Sequence, residues 1–287
     1  MCHRPWARSS PVDRATEGVG PERRWRAVQR RPGRGPAVEL LRAPGACCGS
    51  LRAVVPAEHP AAAYLEALYE MGEEGIPLVQ ARLAEWLGVS AASASEAVKR
   101  LVRDGLVVNE GRRLAFTEAG QRLAEVLVRR HRLVEHFLIR ILGLPWHRAH
   151  EEAVRWEKVV SDEVEARFVE LLGDPATCPH GNPIPGASRP IDLSGLVRLR
   201  DVEPGARVIL RRLTEDLELD LEVMRFLEES GLVPGAEIEV RSVAPDGAIG
   251  LRVGGRDIAL GAHLSDNLWV EPAAPPGKRA VVRSRTA

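Results

Sequence analysis

The sequence is short of several things. Its charges cancel, with 40 Lys and Arg against 40 Asp and Glu, so no global polyanion-binding signature exists and any basic surface must be local. Cysteine is scarce: Cys2, Cys47, Cys48 and Cys178 are the only ones, and three of them lie in an N-terminal stretch without apolar periodicity. No disulfide framework is visible, which favours a reducing, cytoplasmic setting. No apolar run of about 18 residues occurs, so no membrane span or membrane partner is expected. The N-terminal arginines are followed by no apolar segment, which excludes a secretory signal as the reading. Nucleophile-elbow, Walker and dinucleotide fingerprints are missing as well, so neither an enzyme nor a small-molecule substrate is expected.

Residues 1–57 combine Pro and Gly with Arg23, Arg24, Arg26, Arg30, Arg31, Arg34, Arg42 and Arg52. Such a segment cannot bury enough apolar surface to offset its ordering entropy. It reads as a disordered basic extension that adds DNA affinity, or as a mis-assigned start with the protein beginning near Val54 or Val55. Residues 273–287 read as a disordered tail.

Periodicity begins at residue 58 and runs to about 120. Tyr64, Leu65, Leu68, Tyr69 and Met71 give a first amphipathic helix, and Val79, Leu83 and Leu87 a second that Gly88 stops. Ser90 is a plausible N-cap for a third helix with Ala94, Val98, Leu101 and Val102 inward. "LVVNEGRRLAFT" (Leu106 to Thr117) reads as strand, turn, strand. This order is that of a winged helix-turn-helix, whose third helix enters the major groove. Its outward side chains include Ser93, Glu96, Lys99, Arg100 and Arg103, with Arg112 and Arg113 at the hairpin tip, suited to phosphates and base edges.

A helical region, residues 121–177, follows. One helix spans about Glu118 to Leu142 with a stripe of Leu123, Leu127, Val134, Phe137, Leu138 and Ile141; others run from Trp146 to Val160 and from Asp162 to Leu172. The stripe is wider than the DNA-reading unit needs, which suggests a homodimer suited to a palindromic operator. Residues 178–195 read as a Pro/Gly linker. The period then changes from 3.6 to 2, and residues 196–272 read as a small SH3-like barrel with one helix near Leu221 to Ser230. The fold class is thus mainly α with a small β module.

His131 and Glu135 share one helix face at i and i+4. His150 lies on the next helix, and Glu215 and Glu218 are spaced i and i+3. Imidazole with carboxylate suits divalent transition metals. Cys178 and His180 in "CPHG" are two ligands in a linker, too few for a zinc site, so a turn is the simpler reading. "HEEAV" starts like a zincin helix, but Val154 stands at its fifth position and the paired-histidine logic fails.

The stretches "RRHRLVEHFL", "HEEAVRWEKVVSDEVEARF" and "GNPIPG", with "AYLEALYEM", "RLVRDGLVV" and "FTEAGQRLA", resemble the diphtheria-toxin-repressor family of iron- and manganese-responsive regulators, from about Tyr64 to Leu172 and through the linker. The likeness implies a cytoplasmic, homodimeric, metal-activated repressor of metal-homeostasis genes, bound to a double-stranded operator, with an SH3-like (FeoA-like) third domain. The metal would be Fe2+ or Mn2+, with Zn2+ or Co2+ as alternatives. The family's ancillary ligands correspond to His131, Glu135, His150, Glu215 and Glu218. Its primary site is degenerate here: Ala63, Val154 and Lys158 stand at ligand positions, and only Glu157 remains able to ligate. Either the Lys158 ammonium pairs with Glu157 in place of a cation, or the two form a weak surface contact. The family's DNA-reading positions correspond to Ser90, Ser93, Ser95, Glu96 and Arg100; Glu96 stands where relatives carry Gln, which points to a different operator. A regulator that has ceased to sense metal, or senses a small organic effector, is the competing reading.

Overall fold

The computed structural model describes residues 61–272; the expectations for residues 1–57 and 273–287 lie outside them. The first three helices are α1 (Ala62–Glu73), α2 (Gln80–Trp86) and α3 (Ala91–Arg103), followed by the antiparallel hairpin β1 (Val107–Glu110) and β2 (Arg113–Phe116). Ser90 caps α3 by accepting from the Ser93 amide. Leu65, Leu68, Met71, Leu83, Val98 and Leu101 form the core beneath it. Val102 was expected inward but is exposed. The closely packed Ala97 fills the inner face one turn earlier instead.

Helix α4 (Glu118–Arg140) leaves the hairpin directly. Thr117 caps it, accepting from the Gly120 amide while donating to the Gly105 carbonyl at 2.7 Å. A side chain at Gly120 would meet the Leu106 carbonyl oxygen at 1.8 Å, so α4 is pressed against the wing by a contact only glycine allows. The helix expected from Trp146 to Val160 is broken. Its α-helical part is α5 (Ala149–Trp156), with 3-10 turns at Trp146–Arg148 and Glu157–Val159. The second turn rotates Glu157 inward, where it is buried. Helix α6 (Asp162–Leu172) carries the expected Ser161 cap and stops at Gly173 in the left-handed region. Phe137 stacks on Phe168 at 4.7 Å between centroids, and Ile141, expected in the α4 stripe, is exposed at its end.

The C-terminal module is a six-stranded antiparallel sheet of order β3-β8-β4-β5-β6-β7. Its strands are β3 (Val197–Arg198), β4 (Arg207–Leu213), β5 (Glu237–Val243), β6 (Ile249–Val253), β7 (Arg256–Leu260) and β8 (Leu268–Pro272). Helix α8 (Leu221–Glu229) is the one the periodicity shows; α7 (Glu215–Glu218) and α9 (Ala262–Asp266) are single turns too short to leave a period.

The segment after Thr177 is more than a spacer. Cys178, His180, Asn182 and Ile184 are buried. Its turn closes through the Gly181 amide on the Cys178 carbonyl, and the His180 carbonyl accepts from the Leu213 amide of β4 at 3.0 Å. Gly181 has φ 95°, and a Cβ there would lie 2.0 Å from the Arg211 carbonyl oxygen. The turn thus fastens the helical region to the sheet. Trp146 adds a second fastening: its ring belongs to the core of the C-terminal module, and its Nε1 donates to the Pro179 carbonyl.

Candidate metal centre

Helix α4 presents His131 and Glu135 one turn apart, both buried. Helix α5 brings His150, and α7 brings Glu215 and Glu218. Three overlapping groups result: His131, Glu135 and His150; His150, Glu215 and Glu218; and Glu135, Cys178 and His180. In each, one donor atom per residue lies within 4.8 Å of the others. The structure therefore brings together all five residues singled out on the helices and α7. It also adds two that the sequence reading set aside. Cys178 and His180 looked like a bare turn because their partner Glu135 lies over 40 positions earlier in the chain, a separation that no local spacing reveals.

The distances are short. His131 Nε2 is 3.2 Å from Glu135 Oε1 and 3.2 Å from His150 Nδ1. His150 Nδ1 lies 3.5 Å from Glu218 Oε2 and 3.9 Å from Glu215 Oε2. His180 Nδ1 is 2.7 Å from Glu218 Oε2 and 3.3 Å from Glu135 Oε1, close but not aligned for hydrogen bonds. Glu135 Oε2, Glu215 Oε2, Glu218 Oε2 and His180 Nδ1 are all buried without a hydrogen-bond partner. A buried polar atom left without a hydrogen bond costs about 1–3 kcal/mol, and a divalent cation held by these groups would offset that cost. The donor set of imidazole, carboxylate and thiol is one that first-row transition ions accept.

Protons serve the cluster otherwise. Burial opposes charge on His131 and His180, yet the carboxylates of Glu135, Glu157 and Glu218 outweigh it and hold both imidazoles well above their ordinary range. His150 is raised to about 9 against burial, by contact with Glu135 and Glu218. Glu135 and Glu218 are correspondingly lowered despite burial, chiefly by His180. Burial pushes the Cys178 thiol up to about 12, so a bound cation is what would make it a thiolate.

The degenerate positions stand apart. Ala63, Val154 and Lys158 are exposed. Glu157 does not pair with Lys158, either as a built-in cation or as a surface contact. Its Oε2 lies 2.5 Å from His131 Nδ1, because the 3-10 turn directs Glu157 inward and Lys158 outward.

Two buried arginines join the centre to α1. Arg132, fully buried, donates to Glu215 on one side and to Glu73 on the other. Arg212 pairs with Glu74, donates to the Asn182 side-chain oxygen at 2.8 Å, and the Asn182 amide donates to Glu218 at 2.9 Å. Glu215 and Glu218 are thus shared between the cluster and contacts that reach the helix beside the DNA-reading unit.

On α3, Ser93, Glu96, Lys99 and Arg103 are exposed, Arg100 is half-buried, and Arg112 is exposed at the hairpin tip. Lys99 Nζ bonds Glu96 Oε1 at 2.8 Å, which lowers the Glu96 carboxyl. Ser90 is spent on the cap, and Ser95 is half-buried.

Three family models match consecutive parts of the chain. Residues 60–115 match the iron dependent repressor N-terminal DNA binding domain, residues 117–186 its metal binding and dimerisation domain, and residues 197–272 the FeoA domain. The chain belongs to the diphtheria-toxin-repressor family of metal-dependent transcriptional repressors. It is 40% identical to the iron-dependent repressor IdeR of Mycobacterium tuberculosis (strain ATCC 25618 / H37Rv) over 218 residues, covering 72% of this chain and 95% of that one. Identity to the diphtheria toxin repressor of Corynebacterium diphtheriae is 37%, covering 72% and 95%. Among solved structures it is similar to a manganese-dependent transcriptional repressor in complex with manganese, at TM-score 0.66 and 30% identity, covering 74% of this chain and all of the other. Among the described residues no helix is long and apolar enough to cross a membrane.

Proposed function

We propose that this chain is a metal-responsive repressor whose sensor is the cluster of His131, Glu135, His150, Glu215 and Glu218, extended by Cys178 and His180. The observation that carries the reading is the meeting of buried imidazole, carboxylate and thiol donors from α4, α5, α7 and the 178–184 turn in three overlapping groups. A bound Fe2+ or Mn2+, or Zn2+ or Co2+, would supply concentrated positive charge; the Cys178 sulfur weights its lobe towards iron, cobalt or zinc over manganese. Ala63, Val154 and Lys158 leave the family's primary site without enough ligands to hold an ion.

The protein's own residues then do the coupling. Glu215 and Glu218 adopt the orientation in which Arg132 and Arg212 can hold Glu73, the last residue of α1, and Glu74, its C-cap. That fixes α1, and with it α3, in one arrangement. Metal favours DNA binding only to the extent that it binds this arrangement better than others. Arg100, Arg103, Lys99 and Arg112 contact the operator with Ser90, Ser93, Ser95 and Glu96 beside them. The exposed Val126, Ile141, Leu142, Val164 and Leu171 of the helical region form part of a homodimer interface.

The test is fluorescence anisotropy on the chain's own promoter fragment, in chelator and then with each ion. Tight binding only with metal supports the reading. Binding that is tight in chelator and indifferent to metal refutes it and favours a member that has ceased to sense metal, with the three protonated imidazoles holding the centre closed.

A further inference from the structure

We infer that Glu157 is a positioning residue for His131: the carboxylate that the family resemblance would make a direct metal ligand instead fixes the ring orientation and tautomer of a neighbouring ligand. The inference rests on the metal-sensor reading above.

The geometry is one-sided. The two ring nitrogens of His131 face different partners: Nε2 faces Glu135 and His150 at 3.2 Å each, and Nδ1 faces Glu157 Oε2 at 2.5 Å. A ligating Nε2 must carry a lone pair, so the single proton of the neutral ring belongs on Nδ1, where Glu157 accepts it. Glu157 is 2% exposed and held by the 3-10 turn that ends α5, so it cannot relax to solvent. Nothing at Ala63 or Val154 offers a donor atom for an ion beside Glu157, and Lys158 is exposed. A carboxylate behind a ligating histidine raises its basicity and locks its direction; losing one commonly weakens metal affinity by about 10–100-fold.

A rival exists in Glu66 on α1, buried with an unpartnered Oε1 and within electrostatic reach of Glu157. If Glu66, Glu157 and His131 Nδ1 together held an ion of their own, Glu157 would be a ligand, and its loss would change how many ions bind.

Titration of the full-length protein with Co(II), followed by visible absorption, separates these cases for the parent, Glu157→Gln and Glu157→Ala. The number of ions bound should stay the same in all three. Affinity should fall about 10–100-fold in Glu157→Ala and less in Glu157→Gln, whose amide oxygen still accepts from Nδ1. In the Zn(II)-loaded protein, proton NMR should show a far-downfield His131 Nδ1–H signal that is absent in Glu157→Ala. One ion fewer in either variant overturns the inference in favour of a ligand role, and so does unchanged affinity with only a lowered melting temperature. If the parent itself binds no Co(II), the sensor reading falls first and this inference with it. The isosteric Glu157→Gln keeps the test open should Glu157→Ala fail to fold.

Discussion

Arg132 holds Glu215 twice, through Nε at 3.1 Å and Nη2 at 2.7 Å. The same guanidinium reaches Glu73 at 2.6 Å and is fully buried. One cation therefore balances two carboxylates from different domains. Removing one partner of a buried ionic group leaves the others uncompensated, which costs far more than the net worth of the pair. Arg132→Met should lose about 3–5 kcal/mol of stability in urea denaturation at neutral pH. A loss under about 1 kcal/mol, the range of exposed pairs, would show that the clamp is not formed in solution.

The centre also fixes a pH dependence. His150 is raised from 6.5 to about 9 in the metal-free protein, and His131 and His180 shift the same way. A raised imidazole contributes stability that is full below pH 6.5 and is lost as pH climbs through the folded value. Glu66 and Glu70, which burial raises to about 7 and about 8, act in the same direction, losing their contribution above the ordinary carboxylate range. The metal-free protein should thus become less stable between pH 6.5 and 9, as read from its denaturation midpoint. Metal affinity should rise over the same interval because the ion displaces protons. Calorimetry in two buffers of different ionisation enthalpy would detect the proton release.

Cys178 leaves a spectroscopic mark if it ligates. The Co(II)-loaded parent should show a near-ultraviolet thiolate-to-metal band that Cys178→Ser lacks while retaining its remaining d–d absorption. His180→Ala should weaken Co(II) binding by about tenfold or more, in line with loss of ligand-sphere contacts. A Cys178→Ser spectrum identical to that of the parent would remove the thiol from the ligand set.

On the proposed reading of α3, Glu96 places negative charge on the face that would approach DNA. Its partner Lys99, at 2.8 Å, is tied up by it. Glu96→Gln should tighten binding to all duplexes several-fold and steepen the salt dependence by roughly one released counterion. Anisotropy at two salt concentrations measures this. Tighter binding to one sequence alone would make Glu96 a base-reading residue instead.

Much of this was legible in the sequence. The Ser90 and Ser161 caps and the pairs at i, i+4 and i, i+3 follow from local rules, and His131, Glu135, His150, Glu215 and Glu218 lie in two groups that share His150. What stayed hidden depends on tertiary placement. The turn at 178–184 has no period, so nothing local shows that β4 docks against it. Arg132 reads as one more charge on a helix until Glu73 and Glu215 arrive 59 and 83 residues away. The direction of Glu157 and Lys158 was set by a single 3-10 turn that the helical pattern concealed.

Trp146 carries a last consequence. It precedes α5 in sequence, yet its ring lies in the core of the sheet, and its amide and that of His147 are held by Glu228 of α8. Cutting the chain in the 187–196 stretch would not yield two intact halves. The N-terminal fragment would keep an uncovered indole, and the sheet would be left with a hole the size of one. Dissection of this protein into autonomous modules should therefore follow its contacts, carrying residues 146–148 along with the sheet, and not the linear borders of its domains.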